Sequence, residues 1–207
     1  MDLVYTWVNM TDRHWQNSYL KNIGSKIDAQ RYRDNNELLY SLRSVEKYAP
    51  FFRKIFIVTD NQIPSWLDTS NPKIEVVFHS QIFEKKFHLP VFNSHAIEMN
   101  LHNIPGLSNF YVYSNDDLLF AKEIQPTDLI NDKYQFFAHS VSTTCDYSCT
   151  QRPNDICLPE CDLEKVDKYR HSGINGNRLL NTVYPRRERR GTAHTPYVIN
   201  KEIMLTV

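Results

Sequence analysis

Short apolar runs that stop in polar residues recur along the first 120 positions. Leu3-Val-Tyr-Thr-Trp-Val8 gives way to Asn9-Met-Thr-Asp12, and Ile55-Phe-Ile-Val-Thr59 to Asp60-Asn-Gln-Ile-Pro64. Ile74-Glu-Val-Val-Phe78 is closed by His79, and Phe110-Tyr-Val-Tyr-Ser114 runs into Asn115-Asp116-Asp117. Runs of this length, rich in β-branched and aromatic residues, predict strands buried on both faces. Helical patterns lie between them. Leu38, Leu42, Val45 and Ala49 form an i, i+4, i+7 stripe, which predicts a helix from about Asn35, capped by Asp34 or Asn35 and stopped by Pro50. Ser94 is expected to cap a second, short helix burying Ile97, Leu101 and Ile104 and ending at Pro105-Gly106. Glu98 falls one residue beyond the capping-box position counted from Ser94, which frees it to face whatever the helix start points at. The polar segment from Arg13 to Gln30, with Trp15, Tyr19 and Leu20 interspersed, is read as a short helix and a loop.

Strands alternating with crossovers predict an α/β domain with a mainly parallel sheet flanked by helices, spanning residues 1–207 as one unit. After Phe120 the regularity fades. Glu123 to Phe137 is expected to finish the sheet, and Asn175 to Thr182 to form a last helix.

Composition changes this picture little. Abundant aromatics (Tyr 12, Phe 11, Trp 3) and scarce glycine (5) mark a folded chain rather than a linker-rich one. A formal net charge of zero gives no overall electrostatic case for nucleic acid. No apolar run reaches membrane-spanning length, and Met1-Asp-Leu-Val-Tyr5 is strand-like, unlike a signal peptide. The cysteines cluster in one excursion, about 143–163: Cys145, Cys149, Cys157 and Cys161, spaced C-x3-C, seven residues, C-x3-C. Two disulfides in an oxidising compartment are the favoured reading, with a structural zinc site as the rival.

The polar strand ends carry the candidate chemistry. Asn115, Asp116 and Asp117 present hard oxygen ligands of the kind that suit Mg²⁺ or Mn²⁺ bound with a phosphorylated substrate. An ordinary polar turn explains the same residues equally well. Asn9 and Asp12 form a second such set; the sequon Asn9-Met-Thr11 is discounted because a glycan would crowd the cleft. Arg31, Arg33 and Asp34 precede a helix start, where backbone N–H groups favour an anion; a solvated cap is the plainer alternative. Arg43 lies within that helix near Tyr40 and Ser41. Arg186-Arg-Glu-Arg-Arg190 reads first as a solvated face and second as a phosphate site.

These stretches together resemble the Stealth family of sugar-1-phosphate transferases. Asp2 to Asn9 with Asp12 is similar to its first signature. Arg31 to Ser44, Ala49-Pro50, Ile55 to Gln62, Pro64 to Leu67, Leu89 to Ser94, Ala96 to Glu98, Ile104 to Leu107 and Asn115 to Asp117 are similar to the second. Ala193-His-Thr-Pro196, preceded by Asn175 to Asn181, is similar to the third. A fourth signature, an Arg-x-Ser-Glu-Asp run, does not occur before Val207, and the membrane anchor of eukaryotic members is absent, so the expectation is a truncated catalytic domain. The resemblance implies a glycosyltransferase type A-like sheet that binds a UDP-sugar donor and moves sugar-1-phosphate to a hydroxyl of a glycan or glycoprotein acceptor, releasing UMP. It implies Asp116 and Asp117 on Mg²⁺ or Mn²⁺, Arg31 and Arg43 on phosphate, and Ser94 and Glu98 on the donor sugar, with Asn9, Asp12, Asp34 and Asn115 around the substrate. His194 is the implied base for the acceptor hydroxyl, its ordinary pKa suiting proton transfer at neutral pH. It implies a Golgi or other secretory lumen for a eukaryotic chain, and cytoplasmic capsule assembly for a bacterial one. Membrane contact would come only through an anchor outside this chain, and a homodimer stays open. Two alternatives stand beside this reading: an ordinary UDP-sugar glycosyltransferase that releases UDP, and a non-catalytic sugar-nucleotide or glycan-binding relative.

Overall fold

In a computed structural model, which describes residues 1–27, 33–133, 140–141, 191–192 and 195–205, the apolar runs form one sheet. Its parallel strands are β1 (Asp2–Thr6), β2 (Ile55–Thr59), β3 (Ile74–Phe78) and β4 (Phe110–Asn115). The chain divides into two compact units, Met1–Ala138 with Thr195–Val207, and His139–His194. Of the second unit the description covers only the antiparallel pairing of β5 (Ser140–Val141) with β6 (Gly191–Thr192). The first unit holds the five-stranded sheet, in the order β3-β2-β1-β4-β7, where β7 (Tyr197–Asn200) runs antiparallel to β4.

The expected α/β architecture with a mainly parallel sheet is therefore present, with one correction at its edge. Among the described residues the sheet is finished by Tyr197–Asn200, while residues 123–133 of the segment expected to finish it contain a 3₁₀ turn at Pro126–Asp128. A four-residue strand with one buried side chain, Val198, leaves too little alternation to read from sequence.

Alternation along each strand sends side chains to two layers. Val4, Phe56, Val58, Val77, Tyr111 and Tyr113 pack with Ile82, Phe83, Ile97, Leu101, Ile104 and Leu107. Leu3, Tyr5, Trp7, Ile55, Ile57 and Val112 pack on the other face with Leu38, Val45, Ala49 and Phe52. The helices supplying these layers are α2 (Glu37–Tyr48), α3 (His79–Ile82) and α4 (Ser94–Glu98); α1 (Arg13–Ile23) instead packs its buried Trp15 on Tyr19 and Phe92, and α5 (Lys201–Met204) follows β7. The predicted stripes of α2 and of 97–104 are the buried ones.

Helix starts differ from expectation in three places. α2 begins at Glu37, with Asn36 in the left-handed region at φ 64° and no side-chain cap of its own. Asp34 and Glu37 instead accept the backbone N–H groups of Asn36 and Asn35, so the carboxylates close the entry loop locally. Asn93, not Ser94, caps α4, accepting from the N–H groups of His95 and Ala96. His79 does not close β3 but opens α3, where it is buried. The predicted helix at 175–182, the basic run at 186–190 and the cysteines lie outside the described residues. Among the described residues no helix is long and apolar enough to cross a membrane.

Candidate functional site

The chain steps outward from β1 to β2 to β3, then returns to the other side of β1 as β4. In open α/β sheets the crevice outside the carboxyl ends of strands at such a reversal is where ligands bind. Thr6 pairs with Asn115 at that edge, so Asn115-Asp116-Asp117 emerges directly over the β1/β4 switch point. Asp116 is half-buried and Asp117 exposed. Burial, then the neighbouring Asp117, then Asp34 and Glu37 push the Asp116 carboxyl up to about 6. The start of α2 therefore adds negative charge to the same rim.

Serines on α2 fix this geometry. Ser41 Oγ donates to the carbonyl of Leu118 at 2.5 Å, and Phe120 N–H donates to Ser44 Oγ at 3.0 Å. The Ser41 proton being used, the Tyr5 hydroxyl is the donor in its 2.7 Å contact with Ser41. Tyr5 is fully buried and its phenol is pushed up to about 12 by desolvation. A single file of hydrogen bonds thus ties β1, α2 and the segment after Asp117 together.

On the opposite face of the sheet, Glu98 ends α4 and is half-buried. Tyr197 Oη donates to Glu98 Oε2 at 3.1 Å. Tyr113 also hydrogen-bonds Glu98, and its own hydroxyl lies 3.0 Å from Thr6 Oγ1. The Tyr113 and Tyr197 rings meet edge to face at 5.5 Å. Burial raises the Glu98 carboxyl above its ordinary value, while the two phenols act the other way. Burial pushes the Tyr113 phenol up, and the charges of Glu98 and Asp116 add to it. Asn115, Asp116 and Asp117 thus share the β4 end of the rim, where Asp34 and Glu37 add charge, while Glu98 is held by the β7 phenol Tyr197.

Asn9 and Asp12 sit on the loop after β1 with their oxygens engaged. Asn9 Oδ1 accepts from Thr11 N–H and Oγ1, and Asp12 caps α1 by accepting from His14 N–H. Buried Gln62 clasps this loop: its Oε1 accepts from Asn9 N–H, and its Nε2 donates to the Asn9 carbonyl and to Asp12. The Gln62 contact, then the cap, holds the Asp12 carboxyl below its usual range. Arg43 is exposed, its guanidinium 5.7 Å from the Tyr40 ring centroid. Ser94 is half-buried on the first turn of α4. Arg31, His194 and the four cysteines lie outside the described residues.

Tyr113, Tyr197 and Gln62 were not singled out from the sequence. Tyr113 reads as one more apolar strand residue, and Tyr197 meets Glu98 only because β7 pairs across a gap of more than eighty positions. Gln62 carried a weak signal, an amide just after a strand end.

An ion at this rim would find few protein ligands, because among the described residues no three His, Cys, Asp or Glu side chains converge as a metal-binding group. Two adjacent carboxylates suit Mg²⁺, which takes one or two of them and completes its octahedron with water and substrate phosphate. Comparison with known proteins gives this rim its context. The family profile described as Stealth protein CR2, conserved region 2, matches residues 31–137, which run from before α2 past Asp117. The chain belongs to the Stealth family. It is 37% identical to the capsular polysaccharide phosphotransferase fcs1 of Haemophilus influenzae over 90% of this chain and 47% of that protein. It is 35% identical to the capsular polysaccharide phosphotransferase SacB of Neisseria meningitidis serogroup A over 99% of this chain and 36% of that protein. It is 49% identical to the N-acetylglucosamine-1-phosphotransferase subunits alpha/beta of Mus musculus over 55% of this chain and 9% of that protein. The Stealth chain thus spans less than half the length of these curated relatives.

Proposed function

We propose that this Stealth chain transfers a sugar-1-phosphate, an N-acetylhexosamine-1-phosphate, from a UDP-sugar to a hydroxyl of an acceptor glycan. The acceptor oxygen bonds to the sugar-linked phosphorus, the bridge to UMP breaks, and the hydroxyl proton passes to His194. Support comes foremost from one observation: Asn115-Asp116-Asp117 emerges at the β1/β4 switch point in a chain whose Stealth relatives are named phosphotransferases.

Such a reaction asks for positioning and for charge stabilisation on phosphoryl oxygens more than for covalent work by the protein. Asp116 and Asp117 hold Mg²⁺ or Mn²⁺ in this reading, and a bound divalent ion supplies Lewis-acid stabilisation of the diphosphate. Arg31 and Arg43 offer planar forks to phosphate oxygens, a match that lysine does not reproduce. Ser94 and Glu98 orient the donor sugar; Asp34 and Asn115 border it. Asn9 and Asp12 act through the shape of the loop that Gln62 clasps. The compartment follows the source: a Golgi or secretory lumen for a eukaryotic chain, the cytoplasm for capsule assembly in a bacterium.

The test is to incubate the chain with UDP-N-acetylglucosamine, Mg²⁺ and glycan acceptors, and to quantify both nucleotide products. UMP rising in step with a phosphodiester product is the expected result. UDP instead would mean attack at the anomeric carbon, as in an ordinary glycosyltransferase. Donor binding with neither nucleotide released would make the chain a sugar-nucleotide binding module.

A further inference from the structure

The Glu98 side chain is enclosed by hydroxyls from separate strands. Tyr197 Oη, on the antiparallel edge strand β7, donates to Oε2 at 3.1 Å. Tyr113, on central β4, provides a second phenolic contact and is itself 3.0 Å from Thr6 Oγ1 on β1. Among the described residues, the titratable groups that act on Glu98 are these two phenols. With the carboxylate ionised, one proton order satisfies the file: Thr6 donates to Tyr113, and both phenols donate to Glu98. All the donors then point inward, which leaves Glu98 as an acceptor for a hydroxyl or amide N–H of a bound molecule.

β4 alone does not fix this carboxylate. Glu98 lies at the last residue of a one-turn helix, and past it the backbone changes to a 3₁₀ turn at Leu101–Asn103. A glutamate there keeps its rotamer freedom unless something outside the helix removes it. Tyr197 is suited to that task, because β7 is hydrogen-bonded to β4 with Tyr197 opposite Tyr113, and the two rings brace each other edge to face.

We propose that Tyr197 is a positioning residue for Glu98: the antiparallel edge strand completes the donor-sugar side of the site by holding that carboxylate against Tyr113. The catalytic half of this inference rests on the transferase reading above; the orienting contact does not.

The experiment is a double-mutant cycle of Tyr197→Phe and Glu98→Gln in the full chain, with UMP release read for kcat and KM. It is paired with NMR titration of ¹³C-labelled glutamate carboxyls, the Glu98 signal being assigned by its loss in Glu98→Gln. Losing a hydrogen bond to a charged group should lower kcat about tenfold, with the donor KM within about twofold. In the Glu98→Gln background the same change should cost less than about twofold, because Tyr197 acts through Glu98. The Glu98 carboxyl should titrate at higher pH in Tyr197→Phe, since a donor to its ionised form is gone. The acidic limb of kcat/KM should move with it, whereas a residue that only braces β7 would move neither. A wild-type chain that releases no UMP would sink the transferase reading while an upward Glu98 shift still supports the contact. An unmoved Glu98 titration, or a Tyr197→Phe loss equally large without the carboxylate, overturns the inference.

Discussion

Two aspartate positions show how differently the same side chain is used in this chain. Asp2 opens β1 at the amino edge of the sheet with no exposed surface, and Arg53 clamps it with Nε to Oδ1 at 2.9 Å and Nη2 to Oδ2 at 2.6 Å. Ser108 N–H donates to the same carboxylate at 2.8 Å. Asp116, at the opposite edge, has the acidic neighbours Asp117, Asp34 and Glu37. Arg53→Ala strands a buried charge and should cost about 2 kcal/mol, low for a buried pair because the arginine is half exposed to water. Urea unfolding checks that figure, and the donor KM should stay unchanged because the pair lies far from the rim. Glu98 bears a different cost. Its raised carboxyl keeps a proton in the folded chain at pH values where the unfolded chain has lost it. Stability is therefore full below the ordinary glutamate range and falls as pH rises through the elevated value. Glu98→Gln should melt at higher temperature than the wild type at pH 8, with the advantage gone near pH 4; thermal scans at both pH values decide it. A more stable but impaired variant is what a functional carboxylate in an unfavourable setting predicts.

At the scale of elements, α2 matters less as a surface helix than as the support of the Asn115–Asp117 turn. Its buried stripe was legible from Leu38, Val45 and Ala49, because a 3.6-residue period survives whatever packs against it. The serines that tie it to Leu118 and Phe120 were not, since a hydroxyl carries no sign of its partner. Ser41→Ala leaves the buried Tyr5 phenol and the Leu118 carbonyl without their shared partner, and should cost about 1–3 kcal/mol. It should also raise the donor KM several-fold by loosening the turn; steady-state kinetics beside chemical denaturation separates the two effects. The start of α2 was misplaced by two residues because Asn36 adopts a left-handed backbone and passes the capping to its neighbours. Likewise Asn93 took the cap expected of Ser94, two adjacent residues being equally able to serve. Local chemistry named the right neighbourhood in each case but not the residue, since tertiary packing makes that choice.

For the molecule as a whole, the strands and their polar ends were legible as far as Asn115, since continuous apolar runs fit only strands covered on both faces. The edge strand β7 was not, because its pairing with β4 is set by partners across the intervening unit rather than by its own four residues. The topology then does what no single motif could. The reversal between β1 and β4 turns an Asn-Asp-Asp run, as easily a turn as a ligand set, into the mouth of a crevice. On the other face of the sheet Glu98 accepts from Tyr197, whose ring meets that of Tyr113. The central claim is that these rim aspartates grip a divalent ion carrying a sugar nucleotide's diphosphate. Calorimetric titration of UDP-N-acetylglucosamine into the wild-type chain and into Asp117→Ala, each with and without Mg²⁺, tests it most directly. Mg²⁺ should tighten wild-type binding at least tenfold and leave the folded Asp117→Ala chain unaffected; equal tightening in both, or none in the wild type, would contradict it.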